Sequence, residues 1–191
     1  DQVIVQTQWM KKLCTEKTNV KAHKIVVRPP KIEIYPKKVF EFNEKSLKTF
    51  FYPASGHYYK NHRLIVKACE RLKKYGVSDY EVIFTLKGDE NEHIASLYNI
   101  VKNNDLPIKF IGSLTKEEVF DFYTKSILIF PSYIESVGLP LLEAKKHETP
   151  ILASDCVFSH EILSEYKNSY FFNPFDEIEL AELMKNINYK I

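Results

Sequence analysis

Phe130-Pro131-Ser132-Tyr133-Ile134-Glu135-Ser136-Val137-Gly138-Leu139-Pro140-Leu141-Leu142-Glu143-Ala144 decides the fold. The apolar run Ile127 to Phe130 that leads into it reads as a buried parallel strand, because such strands are covered on both faces and lose the polar alternation. A short loop follows, then a helix with Pro140 in its first turn, where the missing N–H costs nothing. Gly138 lets the main chain approach a ligand without a Cβ in the way. The unpaired N–H groups of the helix start, at the positive end of the helix dipole, suit a phosphate. Glu135 in the loop and Glu143 one turn into the helix add two carboxylates, which accept hydrogen bonds from hydroxyls. The helix dipole alone would also reward an acid in a first turn, so Glu143 has a structural reading beside the functional one. Two acids flanking an anion seat fit a ligand that is phosphate between two sugars, the layout of a nucleoside-diphosphate sugar.

Working outward, strand and helix alternate on both sides of this junction. Strands are expected at Phe50 to Pro53, Glu81 to Leu86, Ile108 to Ile111, Ile151 to Ala153 and Tyr170 to Phe172. Helices are expected at Asn61 to Tyr75, Glu92 to Asn103, the segment opened by the capping box Thr115-Lys116-Glu117-Glu118, and Glu177 to Ile187. The first of these carries Leu64, Ile65, Ala68, Cys69 and Leu72 on one stripe and ends at Gly76. The fold class is therefore α/β, a Rossmann-like doubly wound parallel sheet with helices on both faces. Ligands in such sheets sit beyond the carboxyl ends of the strands, where Glu135 lies. Ahead of it, Val3 to Val5 and Ile25 to Val27 read as short strands around a helix near Trp9 to Cys14. Residues 31–49 lack clear periodicity and read as a linker.

A second candidate segment is Tyr52-Pro53-Ala54-Ser55-Gly56-His57-Tyr58-Tyr59-Lys60-Asn61-His62, at the end of the first regular strand. Ser55 and Gly56 allow close backbone approach, and Lys60 offers a compact cation to a diphosphate. Lys60 at a helix start could equally be solvated, and His62 reads as a surface or capping residue.

The composition narrows the field. The 191 residues suit one domain and a piece of another, and 45% hydrophobic residues are enough for a core. A net charge of +2 argues against nucleic-acid binding driven by bulk charge. Arg occurs only at 28, 63 and 71, and this lysine-rich chain points to an AT-rich bacterial genome. Cys14, Cys69 and Cys156 read as reduced core thiols without metal spacing, as in a cytoplasmic protein. No apolar run reaches the length of a membrane span. The chain opens Asp1-Gln2-Val3-Ile4-Val5-Gln6-Thr7 and reads as cut from something longer. Phe171, Phe172, Phe175, Tyr98 and Tyr123 read as core aromatics.

Pro131-Ser132-x-x-Glu135-x-x-Gly138-Leu139-Pro140-x-x-Glu143-Ala144 resembles the E-x7-E signature of retaining GT-B glycosyltransferases, the group 1 or GT4-like family. Pro53-Ala54-Ser55-Gly56-His57 followed by Lys60-Asn61-His62 resembles a variant of that family's Gly-Arg…Lys motif, with His57 where the family has Arg. The resemblance covers residues 50–187 well and 1–30 loosely. It implies residues 1–30 as a remnant of the N-terminal acceptor domain, 31–49 as linker, and 50–191 as the nucleotide-sugar-binding domain.

For the site, the resemblance implies Glu135 and Lys60 as catalytic. Donor contacts are implied from Ser55, Gly56, His57, Lys60, Gly112, Leu114, Glu135, Ser136, Val137, Gly138, Leu139 and Glu143. Gly88 is expected at a tight turn near the base, and Glu161 at structural or capping work. No metal and no cofactor is implied beyond the sugar donor. An acceptor sugar or lipid-linked glycan would be met through the missing domain. The full-length protein is expected in the cytoplasm, with peripheral association at the inner membrane face, serving polysaccharide or glycoconjugate synthesis. The fragment alone is expected to be inactive. Two alternatives stay open: a nucleotide-sugar epimerase on the same two-domain plan, and a non-catalytic α/β binding module.

Overall fold

The computed structural model describes residues 1–32 and 38–187. Six short strands form one all-parallel sheet: β3 (Thr49–Tyr52), β4 (Glu81–Phe84), β5 (Ile108–Phe110), β6 (Ile127–Phe130), β7 (Ile151–Ser154) and β8 (Ser169–Phe172), in the spatial order β5-β4-β3-β6-β7-β8. The chain winds outward from β3 to β5, then returns to the middle at β6 and winds the other way. Strands β3 and β6 are thus neighbours, with Phe50 opposite Ile127 and Phe51 opposite Leu128. Between them is the topological switch point, where the two connecting loops leave in opposite directions and open a crevice.

The strand residues explain the layering. Every residue of β3, β6 and β7 is buried, as a sheet covered on both faces requires. Helices α3 (His62–Lys74), α4 (Glu92–Asn103) and α8 (Glu177–Asn186) pack together. Helices α2 (Glu44–Lys48), α5 (Lys116–Lys125), α6 (Leu139–Lys146) and α7 (Val157–Ile162) pack as a second set. The expected stripe of α3 is buried at Leu64, Ile65, Ala68, Cys69 and Leu72. The α5 box closes as expected, with the Thr115 hydroxyl accepting from Glu118 N and the Glu118 carboxylate accepting from Thr115 N at 2.7 Å.

A smaller unit precedes the main sheet. Strands β1 (Val3–Val5) and β2 (Ile25–Val27) pair in parallel around α1 (Gln8–Lys17). Glu161 of α7 accepts from Gln8 N at 2.7 Å and from Trp9 N at 2.8 Å, so it caps α1, the structural work expected of it.

Four expectations are corrected. The stretch read as a linker is folded from residue 38 onward in the described part. Phe40 is buried, Phe40 N donates to the His147 carbonyl at 2.7 Å, and Glu41 N to that of Thr124 at 2.8 Å. Helix α2 then runs directly into β3; residues 33–37 lie outside the described residues. Secondly, Phe175 is 73% exposed because it follows the last strand and lies at the surface beside Tyr133, the rings tilted at 46°. Thirdly, Cys14 and Cys156 are only partly covered, and Cys69 alone of the three is a core thiol.

The fourth correction concerns His62. It is 1% exposed, wedged between Tyr52 and Phe84 with ring centroids 4.8 and 5.0 Å away. Neither ring nitrogen has a hydrogen-bond partner among the described residues. Burial, with the charges of His93 and Lys60 adding to it, pushes its pKa from 6.5 down to about 3. The ring is neutral in the fold but takes a proton readily once unfolded, so the stability it confers is present above pH 6.5 and drains away as pH falls from there toward 3. Each pH unit in that window is worth at most ~1.4 kcal/mol. His62→Phe removes this dependence. On denaturant unfolding between pH 7 and 5, wild-type stability should fall faster than the variant's by about 1–2 kcal/mol; parallel curves would contradict the assignment.

Candidate functional site

The loops at the carboxyl ends of β3 and β6 are fastened to each other. Ser132 Oγ and Tyr133 N both donate to the Tyr59 carbonyl at 3.2 Å. Asn61, held at φ +61° where asparagine is tolerated, donates its amide to the carbonyls of Pro131 at 3.2 Å and Pro174 at 2.7 Å. Tyr52 in β3 donates its hydroxyl to the Lys60 carbonyl at 2.7 Å. These contacts fix Lys60 opposite Glu135, and the two form an ion pair with side chains only 17% and 12% exposed. The pair joins residues 75 positions apart at the switch point. The sequence motifs place both residues in one site, and the fold adds their pairing with each other.

Beyond Glu135 the chain turns into α6. Gly138 is the N-cap at φ 73°, ψ 58°, a left-handed conformation that glycine adopts without strain. A Cβ there would also press on Leu141 at 3.3 Å. The N–H groups of Val137 and Gly138 donate to no group among the described residues, although Val137 is only 7% exposed. A buried amide without a partner is rare and costly. Together with the dipole of α6, these amides give the loop the chemistry that suits an anion. Leu139 is the first residue of the helix and is exposed, as are Ser136 and Ile134.

Glu143 is the fifth residue of α6, so the first-turn dipole reading does not apply to it. It is half-buried and accepts from the Tyr123 hydroxyl at 3.1 Å. Burial pushes its carboxyl upward, opposed by Tyr123 and the nearby Lys116 charge. Tyr123 was read only as a core aromatic; nothing in its sequence context reveals that its hydroxyl serves Glu143.

Ser55, Gly56 and Leu114 line a cavity of about 450 Å³ with Leu86, Glu90 and Ser113, between the loops after β3, β4 and β5. Each of these loops is shaped locally. A Cβ on Gly56 would meet Ile94 at 2.8 Å, and its carbonyl accepts from the Asn91 amide at 3.0 Å. Gly88 turns at φ +104° with the Tyr98 ring 2.4 Å from where a Cβ would be, while the Glu90 carboxylate accepts from Lys87 N and Gly88 N. Gly112 turns at φ +79° and donates to the Leu86 carbonyl at 2.9 Å. His57 is exposed and stacks on Tyr59 at 5.5 Å, away from the Lys60–Glu135 pair in its described contacts.

A larger cleft, about 630 Å³, lies at the other end of the strands near Lys48 and Glu81. Its Lys48 is already held by Glu44 at 2.6 Å and Asp79 at 2.5 Å, and the start of α2 that lines it is closed by its own Asn43 cap. Among the described residues no group of three or more His, Cys, Asp or Glu is placed to hold a metal ion, and no helix is long and apolar enough to cross a membrane.

A family model described as "Glycosyl transferases group 1" matches residues 35–188. The chain belongs to that family. The O-antigen chain mannosyltransferase RfbU of Salmonella typhimurium is similar to this chain, 30% identical over 118 residues, 60% of this chain and 32% of that protein. Among solved structures, Anabaena HepE in complex with UDP and glucose superposes with a TM-score of 0.80 at 15% identity, over 97% of this chain and 53% of that one. TarM gives 0.76 at 16% identity over 97% and 36%. Sucrose-phosphate synthase from Thermosynechococcus elongatus gives 0.79 at 16% over 99% and 49%. The chain thus spans about a third to a half of the length of these proteins, and shares with the structures the Rossmann-like half of the GT-B fold.

The ion pair makes a quantitative expectation. Lys60→Met and Glu135→Gln should each lower unfolding stability by about 1–2 kcal/mol, since each strands a partly desolvated charge. The double variant should lose less than the sum, with a coupling on the order of 1 kcal/mol in a double-mutant cycle. Additive losses would mean that the two charges do not interact in solution.

Proposed function

We propose that this domain binds a nucleoside-diphosphate sugar at the β3–β6 crevice and presents it for transfer to an acceptor with retention of anomeric configuration. The observation that carries the reading is the pair of unpartnered amides at Val137 and Gly138, at the start of α6, beside the Lys60–Glu135 ion pair. When the glycosidic bond breaks, negative charge gathers on the departing diphosphate. Fixed N–H dipoles and a cation close by lower the cost of that charge without reorganising. Lys60 and the amides of residues 137–139 are suited to that task from opposite loops, and Lys60 would leave Glu135 for the phosphate.

Glu135, released from Lys60, is then a free acceptor for sugar hydroxyls. Glu143 would accept from the ribose hydroxyls, and its site next to Tyr123 holds it in one place for that. The cavity lined by Ser55, Gly56 and Leu114, with Gly88 and Gly112 shaping its rim, has the place and size for the nucleoside base. His57 stands where the resembling motif has Arg, and diphosphate stabilisation is therefore assigned chiefly to Lys60. Within the whole protein the acceptor would be a sugar or lipid-linked glycan, and the pathway polysaccharide or glycoconjugate synthesis. RfbU, named as an O-antigen chain mannosyltransferase, supports that pathway by relation.

Titration of the protein with UDP, GDP, UDP-glucose and GDP-mannose tests the reading. At least one nucleotide should bind. Glu143→Ala should weaken nucleotide and nucleotide sugar alike by roughly tenfold or more, as expected for lost hydrogen bonds to a charged acceptor. Glu135→Ala should weaken the nucleotide sugar selectively, leaving the bare nucleotide as tight or tighter because Lys60 is freed. Equal loss for both ligand types in the Glu135 variant would remove the sugar role. Product stereochemistry from the full-length enzyme, read by the anomeric coupling constant in NMR, tests retention.

A further inference from the structure

The N-terminal unit reaches into the loop that leads to α6 through one hydroxyl. Thr7, 3% exposed, donates from Oγ1 to the Ser136 carbonyl at 3.1 Å across 129 residues of chain. The same oxygen accepts from Met10 N at 3.1 Å, which makes Thr7 the N-cap of α1. A threonine hydroxyl has one proton, and this one is committed to Ser136. Behind Thr7, the Glu161 carboxylate grips Gln8 N and Trp9 N, so α7 holds the end of α1 that carries the hydroxyl. The hydroxyl is therefore held from both sides.

A trans peptide is planar, with its C=O and N–H pointing in opposite directions. Holding the Ser136 carbonyl toward Thr7 obliges the Val137 N–H to face away from the N-terminal unit. Among the described residues that N–H, like those of its neighbours from Ile134 to Leu139, donates to no group. Turning this peptide over would replace a donor by a carbonyl oxygen and set a negative dipole end against a bound anion. The loop has no regular structure of its own here, and Gly138 beside it tolerates more than one backbone conformation, so little else in the local chain forbids the flip.

We propose that Thr7 is a positioning residue for the donor loop. Its hydroxyl sets the Ser136–Val137 peptide so that the Val137 N–H is presented to the sugar-diphosphate, and it thereby couples the placement of the N-terminal unit to donor affinity. The inference rests on the reading of residues 136–139 as the diphosphate and sugar seat. It assigns a role to a residue outside both motifs, in a part of the chain where no donor contact was expected. A shift of α1 away from α7 would withdraw the hydroxyl and free the peptide, so donor affinity would report on how the N-terminal unit sits.

The test uses the full-length protein, with UDP-glucose, GDP-mannose, UDP and GDP as probes. Thr7→Val keeps the side-chain shape and removes the hydroxyl, both the proton given to Ser136 and the oxygen that caps Met10 N; Thr7→Ser keeps both. Asn43→Ala removes the N-cap of α2 at the opposite end of the strands and controls for a plain loss of stability. Thr7→Val should weaken the nucleotide sugar that the wild type binds by roughly tenfold, the worth of one hydrogen bond at the seat. It should also speed amide hydrogen exchange at Val137. Thr7→Ser should stay within about twofold of wild type, and Asn43→Ala should lower the melting temperature without changing affinity. Wild-type affinity in Thr7→Val, or an equal loss in Asn43→Ala, overturns the proposal while leaving the donor site standing. Failure of the wild type to bind any of the four probes overturns both.

Discussion

The parallel pairing of β3 with β6 is the constraint from which the site follows. Strands adjacent in this sheet are far apart in sequence, because the chain completes one half of the winding before it starts the other. Pairing Phe50 with Ile127 and Phe51 with Leu128 brings the loops after Tyr52 and Phe130 side by side. Only then can Tyr59 accept from Ser132 and Tyr133, and only then can Lys60 meet Glu135. The buried apolar strands supply the driving force for this register, since slipping by one residue would exchange the side chains between the two faces.

The crevice that results holds its charges in waiting. An ion pair excluded from most solvent is not a strong source of stability, because desolvation offsets much of the attraction. Its use here is better understood as storage. Lys60 and Glu135 pair with each other in the structure, and under the proposed function a diphosphate sugar would offer each a new partner, phosphate for the cation and hydroxyls for the carboxylate. The amides of Val137 and Gly138 donate to no group among the described residues, so no internal hydrogen bond would have to break before they met a ligand. Glu143 stands between these cases, held by Tyr123 while keeping lone pairs free.

Much of this was legible in the chain. The strand–loop–helix junction around Gly138, the stripe of α3, the box at Thr115 and the turn glycines are local features. Each depends on residues within a few positions of one another, and the physics of strands, caps and positive φ acts over that range. His62, Phe175 and the folded stretch after residue 38 were misread for the complementary reason. His62 is polar and stands at a helix start, yet Tyr52 and Phe84 enclose it; Phe175 is large and apolar, yet it lies exposed beside Tyr133. Phe40 is ordered by His147, more than a hundred residues later.

The sequence by itself determined the alternation of elements, the doubly wound α/β class, the E-x7-E wording and therefore the group 1 glycosyltransferase family. The alternation and the class follow from periodicity and short-range chemistry written along the chain; the family follows from the resemblance of the wording around Glu135 and Glu143. Only the tertiary structure decided that Lys60 faces Glu135, that Tyr123 holds Glu143, and that Thr7 reaches Ser136. Each of these contacts joins atoms brought together by strand register and helix packing, and a hydrogen bond or ion pair exists only over a few ångströms of space, whatever the separation in sequence.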